Sequence, residues 1–160
     1  MLKKFDRSTK RFSTDKMDFE RILYVEDEDA NWNVAELHLR DKYKIKRARS
    51  ATEAFALLAN ETFNLILLDI QLAGSTHDGI EICRILKRHP EQIIPSAARN
   101  LNCEDIPVVF VTAFSERYSK EHLLQVGGDD VVTKPVDFTR LTLVSSRLII
   151  RNIQKMSRSK

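Results

Sequence analysis

The chain has 160 residues, 42% hydrophobic and 31% charged, with a net charge of +3. That length supports one domain with a sizeable core, and the balance is that of a globular protein rather than a disordered or fibrous one. No apolar run reaches the roughly eighteen residues of a membrane span, and the start Met1-Leu2-Lys3-Lys4-Phe5-Asp6 lacks a signal peptide's apolar stretch. Cys83 and Cys103 show neither metal spacing nor a disulfide framework, so a cytoplasmic location and structural thiols are expected.

Residues 1–17 carry six Lys or Arg against Asp6 and Asp15, so 1–18 reads as a basic N-terminal extension ahead of a domain over 19–153. Arg21-Ile22-Leu23-Tyr24-Val25 is a short, largely apolar run ending in Glu26-Asp27. Such runs, bounded by charged or turn-forming residues, read as strands buried on both faces of a parallel sheet. Asn31 to Leu39 follows with Val34, Leu37 and His38 at helical spacing, and Asp29 or Asn31 is placed to cap it. Tyr43 to Arg49 alternates Tyr43, Ile45 and Arg47 against Lys44, Lys46 and Ala48, which predicts a second strand. Ser50-Ala51-Thr52-Glu53 is a capping box for a second helix with Phe55, Leu57 and Leu58 on its buried face.

Leu65-Ile66-Leu67-Leu68 predicts the third strand, ending in Asp69, and Ile80 to Arg88 the third helix, through Ile82, Cys83, Ile85 and Leu86. The segment His89 to Asp105 is long for a connection and predicts an extra helical turn around Ile93 to Asn100. Val108-Val109-Phe110-Val111 is the fourth strand, ending in Thr112. A fourth helix, from about Ser115 to Gln125, stops at Gly127. Val131-Val132-Thr133 ends the strand series in Lys134-Pro135, and a last helix starts after Asp137 and runs through Leu141, Val144, Leu148 and Ile149 to about Asn152. Residues 154–160 are left as a basic tail.

This alternation predicts an α/β fold with a doubly wound, five-stranded parallel sheet, because parallel neighbours need helical crossovers. Glu26, Asp27, Asp69, Thr112 and Lys134 then collect at the carboxyl edge of that sheet, where ligands bind in open α/β folds. Converging carboxylates repel one another unless a cation sits among them, and Mg²⁺, a hard ion with oxygen ligands, suits them. Basic residues at both chain ends argue only weakly for nucleic acid, since no aromatic residues are interleaved with them, but they leave it open.

In order and spacing, Glu26-Asp27, Asp69, Thr112 and Lys134-Pro135, with the approach Gly127-Gly128-Asp129-Asp130, resemble the receiver domain of bacterial two-component response regulators. The resemblance covers roughly Phe19 to Ile150 and implies a flavodoxin-like strand order, 2-1-3-4-5. It implies Asp69 as phosphoacceptor, Thr112 as switch hydroxyl and Lys134 as phosphate partner. Asp27 and Asp69 would hold Mg²⁺ directly, Glu26 through water, and the Gln71 carbonyl would be a further ligand. Implied partners are a sensor histidine kinase or phosphotransfer protein and a downstream protein, met through the fourth helix, fifth strand and fifth helix, with room for a dimer there. The module would catalyse only its own phosphotransfer and dephosphorylation. The alternative is a Mg²⁺-dependent aspartyl-phosphate phosphatase on a similar fold, which would carry a second acid where this chain has Gln71.

Departures from the family pattern are visible too. Val131 stands where relatives often carry the aromatic half of the switch, and Ile70 to Asp78 delays Gly79 without a proline.

Overall fold

The computed structural model describes residues 19–113 and 117–160. Parallel strands β1 (Arg21–Val25), β2 (Lys44–Ala48), β3 (Leu65–Leu68), β4 (Val108–Thr112) and β5 (Asp130–Thr133) form one sheet in the order β2-β1-β3-β4-β5. Helices α1 (Asp29–Leu39), α2 (Ala51–Asn60), α3 (Gly79–Leu86), α4 (Lys120–Gln125) and α5 (Phe138–Arg158) cover both faces. This is the expected doubly wound, flavodoxin-like arrangement, and its order reverses between β1 and β3, leaving a crevice at the carboxyl edge.

Side chains alternate across each strand, so one sequence feeds two cores. Leu23 and Val25 join Ile66, Leu68, Val108 and Phe110 against Phe55, Leu58, Ile82, Ile85 and Leu123 of α2, α3 and α4. Ile22 and Tyr24 join Leu65, Leu67, Val109 and Val111 against Leu39 of α1 and Leu141, Leu148 and Ile149 of α5. Strands buried on both faces explain the near-continuous apolar runs. Among the described residues, no helix is long and apolar enough to cross a membrane.

Several local expectations change. The buried side of α1 is Ala35 and Leu39, whereas Val34 and Leu37 are exposed. Asp29 does not cap α1; its carboxylate is taken by Arg47 and Arg49, and Glu28 holds the cap position with its side chain bonded to Asn31 Nδ2 rather than to a backbone N–H of the helix. Ser50 caps α2 as expected, but Glu53 reaches back to the Arg49 N–H rather than to Ser50. A full reciprocal box instead opens α3, where Asp78 accepts from the Glu81 N–H and Glu81 from the Asp78 N–H.

The long connection after α3 holds one 3₁₀ turn, Ser96–Ala98, within the expected span. Arg88 pins it: Nη2 donates to the carbonyls of Ala98, Arg99 and Leu101 at 2.9, 3.0 and 2.6 Å. Lys87 Nζ adds bonds to the Glu104 and Ile106 carbonyls. Helix α4 begins at Lys120, capped by Ser119; its expected start at Ser115 lies outside the described residues, as does the basic extension over 1–18. The chain leaves α4 through Gly127 at φ +111°, a backbone state that favours glycine. Helix α5 continues to Arg158, six residues past the expected Asn152. Arg147, Arg151 and Lys155 form one helical row there, facing Asp130, Asp129 and Asp105 at 2.9, 3.1 and 3.1 Å.

Candidate functional site

Strand ends deliver the chemistry. Glu26 and Asp27 leave β1, Asp69 leaves β3, Thr112 closes β4 and Lys134 follows β5, all at the carboxyl edge. Parallel register brings them level: Val25 pairs with Leu68, and Thr112 with Thr133. One carboxylate oxygen from each of Glu26, Asp27 and Asp69 lies within 4.8 Å of the others. Lys134 Nζ donates to Glu26 Oε2 at 2.6 Å and to Asp69 Oδ2 at 2.7 Å, so one ammonium bridges two acids. A cleft of about 210 Å³ opens over them, lined by Asp27, Glu28, Asn31, Asp69, Gln71, Ala73, Ala113 and Lys134.

Burial sets the electrostatics. Glu26 is fully buried, Asp69 and Thr112 nearly so, and Asp27 is half-buried toward the cleft. Burial pushes the Asp69 carboxyl above the usual aspartate range, with the Lys134 bond and charge pulling back and the Glu26 charge adding to the rise. Burial also opposes charge on Lys134, yet its bonds to Asp69 and Glu26 hold its pKa above the ordinary lysine value. Tyr24 is likewise raised, by burial first and by Glu26 second, so its phenol stays a donor to Glu26 Oε2 at 3.1 Å.

Backbone groups complete the arrangement. The Glu28 N–H donates to Glu26 Oε1 at 3.1 Å, the Gln71 N–H to Asp69 Oδ1 at 3.4 Å and the Ala73 N–H to Asp27 Oδ2 at 3.0 Å. Ser75 fastens the loop after Asp69, accepting from the Ala51 N–H and donating to the His77 carbonyl. Gly79 passes so close that a Cβ there would lie 2.0 Å from the Asp69 carbonyl oxygen. Only a residue without a side chain fits beneath the central aspartate.

Glu26, Asp27, Asp69 and Lys134 therefore meet at one edge, Thr112 ends β4 at that same edge, and Gln71 lines the cleft. Sequence reasoning passed over three contributors. Tyr24 looked like one more strand residue, Arg47 like one more alternating position of β2, and Ala73 acts only through its backbone. For Tyr24 a signal existed: it is a polar-tipped side chain on β1, two residues before Glu26.

Comparison with known proteins agrees with this geometry. The model of the response regulator receiver domain matches residues 22–145. Response regulator PleD of Caulobacter vibrioides is 32% identical over 145 residues, covering 87% of this chain and 29% of that protein. Nitrogen assimilation regulatory protein NtrX of Azorhizobium caulinodans is 33% identical over 130 residues, covering 80% of this chain and 26% of that protein. The crystal structure of the receiver domain of NtrX from Brucella abortus is 28% identical with a TM-score of 0.65, covering 80% of this chain and 97% of that one. The chain thus spans under a third of PleD and of NtrX, but nearly all of an isolated receiver domain. With the sheet order, the acidic edge and a family match over most of its length in agreement, the chain belongs to the response regulator receiver domain family.

Proposed function

We propose that this chain is a phosphorylation-controlled receiver in which Asp69 accepts a phosphoryl group from a phosphohistidine on a sensor histidine kinase or phosphotransfer protein. Its phosphorylated state would be passed to a downstream protein, in a cytoplasmic setting. The observation that carries this reading is the bridge from Lys134 Nζ to Glu26 and Asp69 at 2.6 and 2.7 Å, beside an open cleft.

The donor set fits Mg²⁺: three carboxylates, each offering an oxygen within one 4.8 Å cluster, make a hard, anionic site. Asp27 and Asp69 would hold the ion directly, Glu26 through water, and the Gln71 carbonyl would be a further ligand. When bound, the cation neutralises phosphoryl oxygens as charge spreads over them. An Asp69 oxygen forms the new P–O bond as the P–N bond breaks, and the imidazole nitrogen leaves with the bonding pair. Lys134 supplies a positive charge fixed before reaction, so the protein contributes positioning and electrostatics rather than a base.

Thr112 is proposed as the hydroxyl that takes a phosphoryl oxygen; its carbonyl already accepts the Lys134 N–H at 2.9 Å, tying the two strand ends together. Val131 is half-buried against the core and has no ring to bury further, so the response is proposed to spread from Thr112 toward α4. The surface of α4, β5 and α5 is the proposed contact for a target or a second copy. No observation favours the phosphatase reading, and Gln71 leaves it without its second acid.

Acetyl phosphate with Mg²⁺ tests the reading. Intact-mass analysis is expected to show one phosphoryl adduct, lost in Asp69→Ala and on chelation. An adduct that persists in Asp69→Ala overturns it.

A further inference from the structure

Arg47 stands on β2, outside the acidic group, with 11% of its side chain exposed. Its guanidinium serves one short segment, residues 26–29, at the end of β1 and the start of α1. Nε donates to the Glu26 carbonyl at 2.8 Å, Nη2 to the Asp27 carbonyl at 2.8 Å, and Nη1 to Asp29 Oδ1 at 2.6 Å. The guanidinium carbon also lies 5.9 Å from the Trp32 ring centroid, and Trp32 packs on Tyr24, the donor to Glu26.

The geometry has a specific effect on Asp27. The Glu26 carbonyl belongs to the peptide plane before the Asp27 Cα, and the Asp27 carbonyl to the plane after it. Fixing both planes fixes φ and ψ at Asp27, hence the direction of its Cα–Cβ bond. The Ala73 N–H then holds one carboxylate oxygen from the other side of the cleft at 3.0 Å.

We propose that Arg47 is a positioning residue of the cation site, clamping the backbone on both sides of Asp27 so that its carboxylate points toward Glu26 and Asp69. The proposal rests on the Mg²⁺ reading above. Its sign separates it from a plain charge effect. A cation beside a cation site repels the metal, so charge alone makes Mg²⁺ bind more tightly once Arg47 is neutralised. Positioning makes it bind more weakly. Lysine separates the two further, because it keeps the charge but lacks the rigid fork that spans two carbonyls.

The experiment is a calorimetric Mg²⁺ titration of the full chain and of Arg47→Lys, Arg47→Gln, Asp29→Ala and Asp27→Ala, each at a temperature where circular dichroism shows it folded. Partners that orient metal ligands are typically worth 10–100-fold in affinity, so Arg47→Lys and Arg47→Gln are expected to bind about 10-fold more weakly. Asp29→Ala, which keeps both carbonyl bonds, should stay within about two-fold. Labelling of Arg47→Lys by acetyl phosphate should recover at saturating Mg²⁺, as a misplaced ligand predicts and a damaged fold does not. Should Arg47→Gln fail to fold, Arg47→Lys, which keeps the charge but not the fork, carries the test. Binding by Arg47→Lys as tight as the parent's, or tighter, overturns the clamp while leaving the metal reading intact. A parent that takes up no Mg²⁺, or an Asp27→Ala variant that binds like the parent, overturns the metal reading and the clamp with it.

Discussion

Two sets of ion pairs in this molecule have nearly the same bond lengths and opposite surroundings. Lys134 meets Glu26 and Asp69 at 2.6 and 2.7 Å with side-chain exposures of 15%, 0% and 9%. Along α5, Arg147, Arg151 and Lys155 meet Asp130, Asp129 and Asp105 at 2.9, 3.1 and 3.1 Å, with the basic side chains 63%, 67% and 69% exposed. Distance alone would rank them together. Solvent ranks them far apart, because exposed pairs are screened and typically contribute under about 1 kcal/mol, while a broken buried pair leaves a charge that water cannot reach. The strand-end pairs are therefore a costly arrangement to bury, and the α5 row is a weak seam along the helix.

The largest effect should come from Lys134. In Lys134→Met, two buried acids lose their shared cation, and removing one partner of a buried pair typically costs about 3–5 kcal/mol. Urea unfolding at neutral pH without divalent cations measures this, and millimolar Mg²⁺ should recover part of the loss by replacing the missing charge. A loss below about 1 kcal/mol would place these pairs with the exposed ones and break the contrast.

Gly79→Ala probes the same site sterically. Its Cβ would lie 2.0 Å from the Asp69 carbonyl oxygen, so the β3 end or the start of α3 must shift. Overpacking of this kind costs about 1–3 kcal/mol, and acetyl phosphate labelling of Asp69 should fall with it. Labelling at the parent rate would mean that the carboxylate position tolerates movement of its own backbone.

Asp130 lies between the extremes, with an 11% exposed side chain bonded to exposed Lys120 and Arg147. Burial works against its charge, but the Val131 N–H, Lys120 and Arg147 outweigh burial and hold its carboxyl below the usual aspartate range. A carboxylate with a depressed folded-state pKa stabilises the fold above its unfolded pKa, near 3.9, and loses that contribution as pH falls through the folded value. Asp130→Asn should therefore cost about 1.5 kcal/mol at neutral pH. The gap to the parent should narrow in melts taken below about pH 4. A gap that stays constant through this range would assign the loss to packing rather than to charge.

What could be read from the sequence follows the same division. Strands buried on both faces are written as apolar runs, and the residue after each run lands at the carboxyl edge, so the sequence alone assigns Glu26, Asp27, Asp69, Thr112 and Lys134 to one edge. Arg47 and Ala73 are not assigned in this way, because Arg47 acts on backbone carbonyls of residues distant in sequence and Ala73 acts only through its own backbone N–H on the distant Asp27 carboxylate. The buried face of α1 is hidden in the sequence for a different reason. Ala35 anchors it by being small, and a small residue gives no hydrophobic signal against the larger Val34 and Leu37, which stay exposed. The end of α5 was hidden because its partners, Asp105, Asp129 and Asp130, sit in separate segments that only the tertiary fold brings beside it.

The smallest effect should come from the far end of that seam. Lys155 and Asp105 are both about two-thirds exposed, and their 3.1 Å contact spans 50 residues of sequence. Holding two solvated side chains in one geometry costs entropy that offsets most of the attraction, so a double-mutant cycle of Lys155→Ala and Asp105→Ala should give a coupling of about 0.2–0.5 kcal/mol. The same cycle at Arg151 and Asp129 should give slightly more, because Asp129 is only 25% exposed. Raising the salt to about 1 M shortens the screening length to about 3 Å and should erase the first coupling before the second. The last turns of α5 would then fray in amide exchange while the protein's midpoint in urea stays almost unchanged. A coupling near 2 kcal/mol at Lys155, insensitive to salt, would show instead that this end of the helix is fastened as firmly as the strand-end site, and that exposure is the wrong measure of the difference.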